Sequence, residues 1–84
     1  MGKYEKLLIA IISGKSDHSI RFSELIHLLC AMGFNLRING DHHILYKNGI
    51  EEILNLQPKG SQAKAYQVKQ IRNLIIKYQL EDPQ

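Results

Sequence analysis

The chain is expected to fold as one α+β domain over residues 1–84, in the order helix, helix, three antiparallel strands, helix. Three observations predict this. Two Asn-Gly pairs, Asn39-Gly40 and Asn48-Gly49, separate three short strand-like runs, the signature of hairpin-connected strands. Apolar residues at three-and-four spacing lie before these runs and after them, as on amphipathic helices. With 84 residues, 44% hydrophobic and 23% charged, the composition is that of an ordinary globular chain with one modest core.

The first helix is read over 3–13, as an addition at the edge of the fold. Tyr4, Leu7, Leu8, Ile11 and Ile12 make its stripe, and Gly14 is a natural stop. A polar connector comes next, with His18 as a solvated loop residue. The second helix runs from about Arg21 to Met32. Phe22, Leu25, Leu28, Leu29 and Met32 share a face, which Ile26 and Cys30 widen. Ser19 and Ser23 are both available to cap its amino end, and Gly33 supplies the left-handed residue that ends it. His27 falls at the boundary of the stripe, and Cys30 reads as a small core residue.

Phe34 to Ile38 alternates apolar and polar as a half-buried strand does. His42 to Lys47 and Ile50 to Leu56 are the second and third strands. Gln57 to Gln62 reads as a loop because proline ends the strand and Gly60-Ser61 loosens the chain before the next helix. The last helix spans about Lys64 to Gln79 on a stripe of Val68, Ile71, Leu74, Ile75 and Tyr78, and Lys69, Arg72 and Lys77 are expected to face water. A three-stranded meander buries one face under helices. The helices at 21–32 and 64–79 should pack side by side there, leaving an open face with Arg37 and one of two histidines.

The lone cysteine excludes an internal disulfide and zinc-finger spacing, and it favours a reducing, cytoplasmic setting. No run approaches the roughly 20 apolar residues of a membrane span, and the first residues predict no signal peptide. The formal charge is +3. Between Lys59 and Lys77 the chain carries Lys64, Lys69 and Arg72 but no acid, a one-sign segment suited to a polyanion or an acidic partner. A solvated helix face with no ligand has the same pattern.

His42 and His43 stand at the mouth of the first hairpin. Histidine gives and takes protons near neutral pH. RNA carries its own nucleophile, the 2′-hydroxyl, so a histidine acid/base with cations to hold phosphate suffices for cleavage. No carboxylate cluster suits magnesium, and no cofactor or metal is expected. Adjacent strand residues face opposite ways, and periodicity does not decide which histidine is on the open face. The plainer reading makes them cross-strand polar residues or a hydrogen-bonded pair at the sheet edge.

The stretch from Phe22 to Phe34, then Arg37-Ile-Asn-Gly-Asp-His-His-Ile, a short strand, a Lys-Gly loop and a final helix resemble the HicA, or YcfA-like, family of bacterial toxins. The likeness covers a core over 21–80, and its most specific part is Gly40-Asp41-His42. It implies a double-stranded-RNA-binding-domain-like fold and metal-independent cleavage of single-stranded mRNA. It also implies neutralisation by a HicB-type antitoxin protein that covers the site. Carried across, the catalytic histidine falls on His42, with His43 as second choice. Arg37, Lys47, Lys59 and Lys64 are the candidate RNA contacts. Asp41 departs from the family's small hydroxyl residue: it would repel phosphate, or hold and charge the imidazole. The competing expectation is a non-catalytic RNA- or protein-binding module on the same fold. A third is a plain interaction domain whose basic helix meets an acidic partner. Oligomeric state is not legible.

Overall fold

The computed structural model of the protein describes residues 2–83. Its elements are α1 (Glu5–Ser13), α2 (Phe22–Ala31), β1 (Asn35–Asn39), β2 (His42–Lys47), β3 (Ile50–Leu56), β4 (Pro58–Lys59), β5 (Gln62–Ala63) and α3 (Ala65–Tyr78). This is an α+β fold. The three-stranded antiparallel sheet has the order β1-β2-β3, and β4 and β5 form a separate two-stranded ladder.

Turn chemistry sets the sheet. Gly40 takes φ +63 and, with Asp41, forms the two-residue turn between the paired residues Asn39 and His42. Glycine at the first central position is what a type II′ hairpin requires. Gly49, at φ +88, closes the second hairpin between Lys47 and Ile50. The register irregularity lies beside this second turn, between Leu45 and Lys47, so the strand is regular where the histidines stand.

Two expectations about α2 are corrected. Neither Ser19 nor Ser23 caps it; the cap position is Arg21, with no side-chain cap bond. The Phe22 amide instead donates to the Ser61 carbonyl at 3.0 Å. Ser61 is in place because the expected loop over 57–62 is a tight hairpin, with Lys59 paired to Gln62. That hairpin is stitched to the chain before α2 by an Arg21–Gln62 bridge and by the Ala63 amide on the Ile20 carbonyl at 2.8 Å. Backbone polar groups at this end therefore find partners in a small irregular sheet. The second correction concerns Cys30, which is exposed rather than part of the core. Leu25, Leu28 and Leu29 point inward, and position 30 falls beyond the margin of their stripe.

One core joins all layers. Leu45, Leu54 and Leu56 from the sheet meet Leu25, Leu28 and Leu29 from α2 and Val68, Ile71, Leu74 and Ile75 from α3. Burying each of these side chains is worth about 1.5–3 kcal/mol. The first helix is more than an edge addition: α1 lies against α3, and its Ile11 is fully buried in the same cluster. Among the described residues no helix is long and apolar enough to cross a membrane.

Candidate functional site

Strand register sorts the two histidines. His43 pairs with Ile38 and Leu56, and its neighbour Leu45 pairs with Leu36 and Leu54, so this parity faces the helices. His42, Ile44 and Tyr46 share the opposite, open face with Arg37, Asn39, Ile53 and Asn55. His42 is the exposed histidine of the pair, and His43 is half-buried.

His42 is held at both ring nitrogens. Nδ1 stands 3.0 Å from Asn55 Oδ1, and Nε2 stands 3.2 Å from Gln57 Nε2. With Asn55 presenting its carbonyl oxygen, Nδ1 carries the proton and donates. Nε2 then keeps its lone pair and accepts from the Gln57 amide. This is the tautomer a general base needs, with a third group fixing the ring. Neither Asn55 nor Gln57 figures among the residues predicted for the site. The usable signal is parity: on β3, Asn55 stands opposite Ile44 and shares the face of His42.

His43 has a structural setting. Its ring meets Phe22 of α2 edge-on, with centroids 4.8 Å apart and planes at 82°. Its Nδ1 donates to the Asp41 carbonyl at 3.1 Å. Asp41 therefore bonds a histidine through its backbone, and its carboxylate makes no hydrogen bond to either imidazole among the described residues.

The four predicted cations separate into two places. Arg37 is exposed on the open face, two residues from Asn39, the cross-strand partner of His42. Such diagonal neighbours lie about 7–8 Å apart, within reach of a long side chain. Lys59 and Lys64 line a shallow cleft of about 760 Å³ with His18, Gln62 and Tyr66. This cleft begins two residues beyond Gln57, whose side-chain amide reaches His42. Lys47 is elsewhere. It ends β2, roughly 17 Å of strand from His42. A Cβ added at Gly33 would lie 2.6 Å from its Nζ, so the ammonium covers the carboxy-terminal turn of α2, where the helix dipole favours a cation.

The basic face expected on α3 is mostly paired. Arg72 turns inward to Asp17 at 2.9 Å and to the Ile11 carbonyl at 3.0 Å. Lys77 binds Glu52 at 2.8 Å, and the Tyr78 hydroxyl donates to the same carboxylate at 2.6 Å. Together they lower the Glu52 carboxyl from its ordinary 4.5 to about 2, the Lys77 bond contributing most. Lys69 remains exposed. Arg72 departs from the expected solvent face because it directly follows Ile71 and lies four residues after Val68, where α1 packs against α3 and covers the stripe's border.

No protein-family model, no curated protein and no solved structure matches the chain.

Proposed function

We propose that the chain is an endoribonuclease of HicA type on a double-stranded-RNA-binding-domain-like fold. In this reading it is the toxin of a type II toxin–antitoxin pair, acts on single-stranded mRNA in the cytoplasm, and is neutralised by a HicB-type antitoxin. One observation carries the reading: His42 stands on the open sheet face with its ring fixed by Asn55 and with Arg37 beside it. A ribose 2′-hydroxyl displaces the Gln57 amide from His42 Nε2 and gives its proton to that nitrogen. The freed oxygen attacks the adjacent phosphorus, the bond to the 5′-oxygen breaks, and that oxygen is protonated from solvent. The products are a 2′,3′-cyclic phosphate and a 5′-hydroxyl end. Arg37 and the cations of the neighbouring cleft hold the phosphate and offset its developing charge. His43, turned to Phe22 and the Asp41 carbonyl, positions the turn.

The test is cleavage of a long single-stranded RNA in EDTA by the native chain, His42→Ala and His43→Ala. Cutting that survives EDTA, falls by about 10²–10⁴-fold in His42→Ala and persists in His43→Ala is the expected result. A folded native chain that binds RNA without cutting it favours the second reading, a binding module, for which the cleft of Lys59 and Lys64 offers a cationic surface while Lys77 and Arg72 are paired.

A further inference from the structure

The two edges of the sheet differ. On β3, the Glu51 amide donates to the Tyr78 hydroxyl at 3.3 Å, so the end of α3 caps the start of that edge. On β1 no such bond is present among the described residues. Asn39 and His42 flank a two-residue turn and are therefore the hydrogen-bonded closing pair of the hairpin. Alternation then turns the backbone groups of Arg37 toward β2 and those of Leu36 and Ile38 outward. Among the described residues, neither Leu36 nor Ile38 makes a backbone hydrogen bond outside the β1–β2 ladder. An open row of this kind is a template for another strand.

An apolar groove of about 300 Å³ runs beside the open edge, lined by Phe22, Ile26 and Cys30 of α2 and by Leu36, Ile38 and His43 of the sheet. Ile38 faces the helices yet is 58% exposed. The groove thus has apolar walls, an unpaired backbone row along one side, and a helix along the other. Strand addition uses these elements: main-chain bonds give affinity, and pockets for alternate side chains give specificity.

We propose that β1 is a docking edge for an extended segment of a different protein, which adds as a fourth strand and reads apolar–acidic–apolar. The two apolar side chains stand opposite Leu36 and Ile38 and enter the groove. The acidic residue between them stands opposite Arg37 on the open face, where opposite charges across strands stabilise the pair. The same charge argues against a second copy of this chain. Antiparallel self-pairing over the whole of β1 sets Leu36 against Ile38 and places the two Arg37 side chains directly opposite each other, which is destabilising. The proposal uses the backbone of β1 and shares Arg37 with the ribonuclease reading, but it does not use His42, and protection of the Leu36 and Ile38 amides reads it independently of RNA cleavage.

The test uses the full chain, labelled for amide NMR. Two capped seven-residue peptides of alternating valine and threonine serve as probes, one with a central aspartate and one with a central lysine. At a peptide concentration ten times its Kd, hydrogen exchange at the Leu36 and Ile38 amides slows about tenfold with the aspartate peptide. The lysine peptide binds about fivefold more weakly, and Arg37→Glu reverses that order. Ile38→Pro removes an outward N–H that the β2 ladder does not use, and it abolishes binding. If that variant fails to fold, the Arg37→Glu reversal still decides. Unchanged Leu36 and Ile38 amides at millimolar peptide, or equal affinity for both peptides, overturn the proposal. A chain that is already dimeric, with those amides protected before peptide is added, also overturns it in favour of self-pairing.

Discussion

His42 Nδ1 and Asn55 Oδ1 meet at 3.0 Å across the β2–β3 ladder, although the cross-strand partner of Asn55 is Ile44. The amide reaches diagonally along the open face and fixes the Nδ1 side of the ring. Asn55 is exposed, so its removal should leave the fold intact. If His42 is the base, Asn55→Ala slows single-turnover RNA cleavage by up to about 100-fold while RNA affinity stays unchanged, because positioning is lost and phosphate contacts are not. Gln57→Ala removes only the amide that occupies Nε2, and it does not slow the reaction. Equal losses in the two variants would assign both side chains to general sheet packing instead.

The cations sort by place rather than by sequence spacing. Lys59 and Lys64 share one cleft, whereas Lys47 covers the end of α2. If the chain binds RNA as proposed, alanine at Lys59 or Lys64 should lower the slope of log affinity against log salt by about 0.7 for each lost phosphate contact on single-stranded RNA. Lys47→Ala should leave that slope unchanged and instead lower stability by about 0.3–1 kcal/mol through the helix terminus. Fluorescence anisotropy over a salt series, with denaturant melts of the same variants, separates the two effects.

Arg72 belongs to the architecture. It joins α3 to the connector through Asp17 and to the end of α1 through the Ile11 carbonyl, with side chains only 16% and 18% exposed. Removing one member strands the other in a largely dry site. Asp17→Ala should therefore destabilise the fold by about 2–3 kcal/mol, a large share of the stability of so small a domain. Amide exchange should rise first in α1, whose packing against α3 depends on this tie. A double-mutant cycle with Arg72→Met isolates the pair, since the doubly substituted chain leaves no charge unpaired.

Much of this architecture is legible in local sequence. The two hairpins come from Asn39-Gly40 and Asn48-Gly49, and the helices come from apolar spacing, because both signals act within a few residues. The features that local sequence does not carry depend on contacts between distant parts of the chain. Ser61 caps α2 across about 40 residues of sequence through an irregular pairing that no propensity encodes. Arg72 has the spacing of a solvated cation, and only the packing of α1 over α3 encloses it. The face of His42 cannot be chosen by parity alone, since Ile44 and Leu45 are both apolar. The β2–β3 pairing, with Leu45 opposite Leu54, decides it and brings Asn55 to the ring.

The pair of Glu52 and Lys77 gives the fold a defined pH dependence. Glu52 is lowered to about 2 by the Lys77 ammonium first and the Tyr78 hydroxyl second. A carboxyl depressed in the folded state stabilises above its unfolded value, here near 4.5, and loses that contribution as pH falls toward about 2. Lys77 is raised above its ordinary 10.5 chiefly by the same bond, so its contribution holds below that value and is lost as pH rises past it. Both side chains are well exposed, at 37% and 56%, so salt should weaken the pair. Urea midpoints measured from pH 6 down to pH 2 should fall for the native chain and flatten for Glu52→Gln, with the two curves converging at the acid end. Tyr78→Phe should give an intermediate curve. It keeps the Lys77 bond but loses the hydroxyl, and it also leaves the Glu51 amide on the β3 edge without its acceptor. A native curve parallel to that of Glu52→Gln across this range would mean that the Glu52 carboxylate does not contribute to folding.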